Sequence, residues 1–328
     1  MNRHMKILVT GATGFIGRHL VPQLLEEHYD VRCLARQTSP KPDSFKDHVE
    51  WALADLNDPS SLAAACDEID LVIHLAGLIK ATNAAEFFKT NVTGTKNLLH
   101  VITPGKKIIL VSSQAAIGPS ATLQPLPETA LPNPISAYGR SKLLAENHLI
   151  RAGQTINYTI IRPPIVYGPE DRESLAIFRL AKYRLNPIIG FWKAYVNLVY
   201  VADLVELILL CLKNRRSDGE IFHINDGNDS GYTQNELVKK AAEKLETHPV
   251  PLYIPKFLLK TVAEFNTYIS RLRSNSSMLN RDKYNELTAC GWLLSSQKAR
   301  TILNYQPRYD IDRGFELTVN WYRQKGWL

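Results

Sequence analysis

The sequence predicts an α/β protein: a doubly wound parallel sheet followed by a smaller C-terminal α/β domain. Residues 6–168 alternate short β-branched runs with longer helical patterns, which is the texture of consecutive βαβ units. Several of those runs are apolar almost throughout, as strands must be when helices cover both faces of a sheet. After Gly168 the texture changes to charged and aromatic helical stretches with short extended pieces.

The expected strands, in order, are 6–11 (KILVTG), 30–36 (DVRCLAR), 49–56 (VEWALADL), 71–77 (LVIHLAG), 107–113 (KIILVSS) and 158–168 (YTIIRPPIVYG). The first helix follows 6–11 and sets Ile16, Leu20 and Leu24 on one face, with a local kink expected at Pro22. Further on, 197–201 (NLVYV) and 220–226 (EIFHIND) read as extended, ahead of the Pro-rich passage 248–258 (HPVPLYIPKFL). The domain reading is 1–168 plus about 196–226 for the first domain, and 169–195 plus about 227–328 for the second.

The composition, 45% hydrophobic and 22% charged, can build a core without disulfides or metals. Cys33, Cys66, Cys211 and Cys290 are far apart and form no CxxC or His-containing ligand group, so a reduced, metal-free interior is expected. No secretory signal is visible, and the longest later apolar run, 204–212, is interrupted by Glu206 and too short to span a bilayer. These features make a cytoplasmic protein the expectation. The net charge of +7 is concentrated late: residues 251–328 hold twelve Lys/Arg against six Asp/Glu. Their dispersal, with no helix-turn-helix or stacking platform, argues against nucleic acid and for a solvated face; membrane-surface contact is possible but not expected.

Gly11, Gly14 and Gly17 sit at the join of the first strand and first helix, with Thr13 between them. A helix N-terminus offers unpaired N–H groups and the positive end of the macrodipole, which suits a pyrophosphate. Gly11 permits the tight turn, Gly14 lets a ligand approach the backbone, and Gly17 permits close helix packing. This is the glycine turn of a Rossmann-type dinucleotide fold, and the chain lacks the Gly-Lys-Ser/Thr of an NTP-binding loop. NAD-preferring folds carry a carboxylate at the end of the second strand, whereas this chain has Ala35 followed by Arg36, which suits the 2′-phosphate of NADP(H). NAD(H) remains possible. Asp55 and Leu56 follow the third strand near the expected adenine edge. Leu75, Ala76 and Gly77 end the fourth with small residues that let a cofactor lie on the backbone. His74 reads as a packed strand histidine rather than a catalyst.

Tyr138 and Lys142 are four residues apart, on one helix face. A neighbouring ammonium favours the phenolate, so Tyr138 can exchange a proton with an alcohol or carbonyl while hydride moves to or from a nicotinamide. Ser113, just past the fifth strand, is placed to hydrogen-bond the same oxygen, and Gln114 follows it at the substrate. Alone, a Tyr–Lys pair at this spacing is an ordinary helix-surface pair; its order after the glycine turn, Arg36 and Ser113 is what gives it meaning.

With these pieces the sequence resembles the extended short-chain dehydrogenase/reductase family, of NAD-dependent epimerase/dehydratase type. The matching motifs are TGATGFIG, ADL, HLAG, NVTGT (91–95), VSS, YGRSK and RPPIVYGP (162–169), dense in the first half and present in outline through the second. The resemblance implies a sheet of about seven strands, a C-terminal substrate domain, and often homodimers built through helices around 85–102 and 138–152. It implies Ser113, Tyr138 and Lys142 as catalytic residues, with Ser113, Gln114 and Tyr138 at the substrate. The implied cofactor-binding set is Gly11, Thr13, Gly14, Phe15, Ile16, Gly17, Arg36, Asp55, Leu56, Leu75, Ala76, Gly77, Asn91, Tyr138, Lys142, Pro163 and Ile165.

Nucleotide-sugar members of the family tend to carry Asn where this chain has Ile165 and Arg where it has Val196; dehydratases carry an acidic pair where Gln114 and Ala115 stand. The expected activity is therefore NADP(H)-preferring interconversion of a hydroxyl and a carbonyl on a largely apolar small molecule. A nucleotide-sugar epimerase or dehydratase with tightly bound NAD is the first alternative, and a non-catalytic cofactor-binding scaffold the second. The Pro-stiffened loop 118–134 is expected to wall one side of the substrate pocket. Residues 254–273 are expected to form a helix burying Phe257, Leu258, Val262 and Phe265, or else a lipid-facing lid.

Overall fold

The computed structural model describes residues 5–189, 194–255, 257, 260, 261, 264 and 281–328. Two compact units emerge: one comprises the chain up to Ala116 with Ala137–Arg162 and Val205–Phe222, the other Ile117–Ser136, Pro163–Leu204 and His223 onward. The loop 117–136 and residues 196–204 thus fall in the second unit, whereas the sequence reading grouped them with the first.

The first unit holds β1 (Lys6–Thr10), α1 (Phe15–Glu26), β2 (Asp30–Ala35), β3 (Glu50–Leu53), α2 (Pro59–Ala65) and β4 (Leu71–His74). It continues with α3 (Ala84–Phe87), a π-helical turn (Phe88–Thr93), α4 (Gly94–Val101), β5 (Lys107–Val111), α5 (Gln114–Ile117), α6 (Ala137–Ala152) and β6 (Asn157–Arg162). After β7 (Ile165–Tyr167), α7 (Leu175–Lys182), β8 (Leu185–Ile189), β9 (Tyr195–Val196), β10 (Leu198–Tyr200) and α8 (Val201–Lys213), β11 (Glu220–His223) completes a seven-stranded sheet of order β11-β6-β5-β4-β1-β2-β3. The pairs from β6 to β3 are all parallel. The order reverses beside β1, so the carboxyl ends of β1 and β4 form the switch point where such sheets bind ligands.

The strands earn their places by burial: Ile7, Leu8, Val9, Val72, Ile73, Ile108, Ile109, Leu110, Ile160 and Ile161 are all shielded from solvent. α1 turns Gly17, Leu20, Val21 and Leu24 inward and runs through Pro22 as one element. The charged Arg32 within β2 is accommodated because Nε donates to Glu50 at 2.7 Å, on the facing β3, and Nη1 to the carbonyls of Ala65 and Asp67.

One expected strand is two. The run 158–168 breaks at Pro163 and Pro164 into β6, in the first unit's sheet, and β7, which pairs with β10 in the second unit. Neither proline has an N–H to continue a ladder, so the chain leaves the sheet there.

In the second unit an aromatic core gathers Tyr167, Phe178, Phe315 and Tyr322, with Phe178 and Phe315 ring centroids 4.8 Å apart. The loop 118–134 is tied into this unit: Ser120 N donates to Gly291 O, Leu126 N to Leu293 O, and the Glu128 carboxylate accepts from His223 N. Phe257 is exposed rather than buried; Leu258, Val262 and Phe265 lie outside the described residues. Among the described residues no helix is long and apolar enough to cross a membrane, and no group of His, Cys, Asp and Glu is arranged to hold a metal.

Candidate active site

The glycine turn is built as the spacing requires. Gly11 adopts φ +73°, a left-handed conformation, and a Cβ there would lie 2.7 Å from the amide nitrogen of Ala76 at the end of β4. Gly17 is needed for another reason: its Cβ would fall 2.5 Å from the Gly11 carbonyl oxygen and 2.6 Å from Ala12 Cα. The tight packing is thus between the helix and the turn itself. Gly14 is the exposed N-cap of α1, no side chain caps the helix, and its first turn has no acidic residue. Uncapped N–H groups on a twelve-residue helix, with no carboxylate nearby in the turn, fit a dinucleotide pyrophosphate. Thr13 gives its carbonyl to Arg18 Nε at 3.0 Å, which closes the loop. The Phe15 ring packs edge-on against His19, and Ile16 is half-buried.

At the end of β2, Ala35 is buried and Arg36 is exposed. Asp55 turns its carboxylate toward its own loop, where Oδ1 accepts from the Asn57 backbone at 2.8 Å and the Asn57 side chain at 3.0 Å. Leu56 is buried and belongs to the core cluster that holds Leu62 and Leu98.

His74 closes β4 as a structural residue. Thr95 Oγ1 donates to Asn91 O at 2.7 Å, so toward His74 it can only accept, which puts the imidazole proton on Nε2 (3.0 Å). Nδ1 is then the acceptor from Thr10 Oγ1 at 2.6 Å, and that hydroxyl accepts in turn from Ala76 N at 3.2 Å. Burial, and then the charge of Lys142, push the imidazole down to about 3, so it stays neutral. The chain Asn91–Thr95–His74–Thr10–Ala76 therefore fixes the backbone at 75–77.

Asn91, expected at the cofactor, makes three hydrogen bonds within the protein. Its Oδ1 accepts from Leu78 N at 2.8 Å, and its Nδ2 donates to Leu78 O and to Ser141 Oγ at 2.9 Å. Ser141 Oγ donates onward to the Tyr138 carbonyl at 2.7 Å. Asn91 thus ties the loop after Gly77 to the first turn of α6, and it does so from a π-helical turn, a geometry common at functional sites.

Tyr138 is half-buried with its ring 5.7 Å from Phe87. Lys142 is 5% exposed, and its Nζ donates to the carbonyl of Val111, the last residue of β5, at 2.9 Å. A Cβ on Gly77 would stand 3.8 Å from the same nitrogen, so the ammonium lies between the ends of β4 and β5. Burial draws Lys142 down to about 8, while the Glu146 carboxylate pulls the other way. Ser113 is half-buried and its Oγ accepts from Ala115 N at 3.1 Å. Gln114 is buried, and its Nε2 has no hydrogen-bond partner among the described residues.

Behind these residues is a group that sequence reasoning missed. Glu146, fully buried one turn beyond Lys142, takes the Arg162 guanidinium at 2.6 Å (Nη2) and 3.0 Å (Nε), and accepts from the Ser112 hydroxyl. Arg162 ends β6 and Ser112 precedes Ser113, so this one carboxylate locks β5, β6 and α6 together. Its signal in the sequence is the Lys142–Glu146 spacing, which repeats that of Tyr138 and Lys142. Pro163 and Ile165, the last two expected cofactor contacts, belong to the second unit, where Pro163 is buried and Ile165 exposed on β7.

A parallel sheet with a glycine turn at its switch point, and a Tyr–Lys helix face beside the ends of β4 and β5, defines a dinucleotide-dependent oxidoreductase or epimerase class. The chain belongs to the NAD dependent epimerase/dehydratase family, whose model matches residues 7–225, and it is an enzyme of the extended short-chain dehydrogenase/reductase type. It is 31% identical to a ceramide reductase from Caulobacter vibrioides over 98% of this chain and 96% of that protein. It is 24% identical to a decarboxylating sterol-4-alpha-carboxylate 3-dehydrogenase from Saccharomyces cerevisiae over 98% of this chain and 99% of the relative. Among solved structures, UDP-glucose 4-epimerase from Thermotoga maritima with UDP-glucose superposes with a TM-score of 0.80 at 27% identity, covering 98% of this chain and 99% of that one.

Proposed function

We propose that the protein is an NADP(H)-preferring oxidoreductase that interconverts a hydroxyl and a carbonyl on a largely apolar small molecule. The observation that carries the reading is Lys142: a buried ammonium anchored on the Val111 carbonyl, one turn from Tyr138 and two residues from Ser113 in β5's wake. In this reading the Tyr138 phenol gives its proton to the carbonyl oxygen in reduction and recovers one from the alcohol in oxidation. The Lys142 ammonium stabilises the phenolate that remains, and the Ser113 hydroxyl donates to the same oxygen. Gln114 Nε2, buried without a partner among the described residues, offers a further donor to the substrate. A bound nicotinamide supplies or accepts the hydride.

The cofactor preference rests on Arg36, exposed just past β2 where an NAD-binding fold needs a carboxylate. An apolar substrate is supported by the ceramide reductase and sterol dehydrogenase likenesses and by Ile165 and Val196 where nucleotide-sugar enzymes carry polar residues. A cytoplasmic location and a homodimer belong to the same proposal; Leu144 and Ile150, exposed on α6, support the dimer alone.

The likeness to UDP-glucose 4-epimerase over the full chain favours a second reading, epimerisation of a nucleotide sugar on retained NAD. The two differ in net turnover. Purified protein offered NADPH with long-chain ketones and aldehydes should consume NADPH, and Tyr138→Phe should lose roughly a hundredfold or more of that rate while binding the cofactor normally. Cofactor that survives purification, with conversion of UDP-glucose and no net NADPH loss, would establish the epimerase instead. An unchanged rate in Tyr138→Phe would remove Tyr138 from the chemistry.

A further inference from the structure

Three side chains spaced four apart on the helical segment after β4 each meet a different part of the site. Phe87 lays its ring beside that of Tyr138, with centroids 5.7 Å apart and planes inclined by 55°. Asn91 bonds to Leu78 and Ser141, and Thr95 bonds to His74. In a straight α-helix each step of four residues drifts by about 40° around the axis. Here α3, the π-helical turn and α4 run on as one helix, since Phe87, Phe88, Thr93 and Gly94 all keep helical backbone angles. The wider π turn rotates less per residue and takes back part of that drift, so all three side chains stay directed at the site.

The backbones under the two rings are tied in place. α3 opens on a reciprocal cap: Asn83 Oδ1 accepts from Glu86 N at 3.2 Å, and the Glu86 carboxylate accepts from Thr82 N at 3.1 Å and Asn83 Nδ2 at 3.0 Å. One turn beyond Phe87, Asn91 Nδ2 donates to Ser141 Oγ at 2.9 Å, and that hydroxyl donates to the carbonyl of Tyr138 itself at 2.7 Å. α3 also packs on α6. This polar bridge fixes where the Tyr138 side chain begins but not where it points. A helical tyrosine has two open χ1 settings, which carry the phenol oxygen to different places. Both rings are half-buried, so neither is held by close packing on every side. An aromatic pair at this separation and tilt favours its own arrangement by about two- to tenfold.

We infer that Phe87 is a positioning residue for Tyr138: its ring holds the phenol in the setting from which the proton is exchanged. This deepens the proposed chemistry and rests on Tyr138 being its acid and base; Phe87 itself exchanges no proton.

The test is a double-mutant cycle of Phe87→Leu and Tyr138→Phe. It is read on the single-turnover rate of NADPH oxidation by decanal, or by whichever long-chain ketone the wild type reduces fastest. If UDP-glucose conversion on retained NAD replaces net turnover, the cycle is read on that conversion with the same expectation. Phe87→Leu should slow the wild-type protein by about two- to tenfold, the bias the lost ring supplied, with KM and cofactor affinity unchanged. Phe87→Tyr, which keeps a ring, should keep the rate. In the Tyr138→Phe background Phe87→Leu should cost nothing further, whereas a purely structural contribution would cost as much in both backgrounds. Equal losses in the two backgrounds, or a raised KM at an unchanged rate, would overturn the inference and leave Tyr138 in its role. Equal rates in the wild type and Tyr138→Phe would remove Tyr138 from the chemistry, and the inference with it.

Discussion

Lys142 carries the sharpest residue-scale consequence. Its ammonium is held at about 8, well below an ordinary lysine, because burial outweighs the pull of Glu146. It is charged below that pH and becomes neutral as pH rises through it, and in the proposed mechanism only the charged form supports the Tyr138 phenolate. The kcat/KM profile, which reports the free enzyme, should therefore fall on its alkaline side with an apparent pKa near 8. In Lys142→Met the overall rate should drop and that alkaline limb should vanish. A limb unchanged in Lys142→Met would assign it to another group. At this scale the sequence was most legible where chemistry imposes spacing: Gly11, Tyr138 and Lys142 announce themselves by position. Asn91 and Asp55 carry no such spacing: an amide and a carboxylate serve a ligand or their own backbone equally well, and the bonds each makes within the protein do not decide between the two.

At the scale of elements, the site depends on β5, β6 and α6 being held in register, and Glu146 does this. A carboxylate with no solvent exposure, bonded to Arg162 and Ser112, is stabilising only while its partners remain. Glu146→Gln leaves the Arg162 guanidinium buried and uncompensated, and it should cost about 3–5 kcal/mol in denaturant unfolding. Adding Arg162→Met should recover much of the loss, because two apolar or neutral groups are cheaper to bury than one lone charge. A double variant no better than the single would deny the coupling. The alternation of apolar runs made the strands readable, since a buried parallel strand has few other compositions. The division of 158–168 into β6 and β7 was not read, although both prolines stand in view. An apolar run on either side hides a break that only the loss of two N–H donors creates. The Glu146 node was hidden differently: its three members are far apart in sequence, and only the fold brings them together.

At the scale of the whole molecule, His74 links the site to acid stability. It is neutral in the fold, pushed down to about 3 from an ordinary value of 6.5 by burial and by Lys142. The unfolded chain takes up its proton as pH falls below 6.5 and the folded chain does not until about 3. Stability contributed by this group is thus fully present above 6.5 and is lost progressively toward 3, by up to about 5 kcal/mol. Thermal melts across that range should show a shallower acid slope in His74→Gln; equal slopes would mean another group governs it. The first unit as a whole was readable from sequence because its motifs, the glycine turn foremost, recur in a fixed order along the sheet. The second unit was readable only in outline, because its short strands and aromatic core leave no comparable periodic signature.

The central claim is that the glycine turn and Arg36 hold a 2′-phosphorylated dinucleotide for Tyr138 and Lys142 to use. Calorimetric titration of NADPH, NADP+, NADH and NAD+ into protein stripped of cofactor, with Arg36→Ala alongside, tests it directly. The account predicts that the 2′-phosphate tightens binding by about tenfold or more, the strength of one charge-assisted contact, and that Arg36→Ala abolishes this preference without weakening NADH. Equal or tighter binding of NAD+, unaffected by Arg36→Ala, would contradict it.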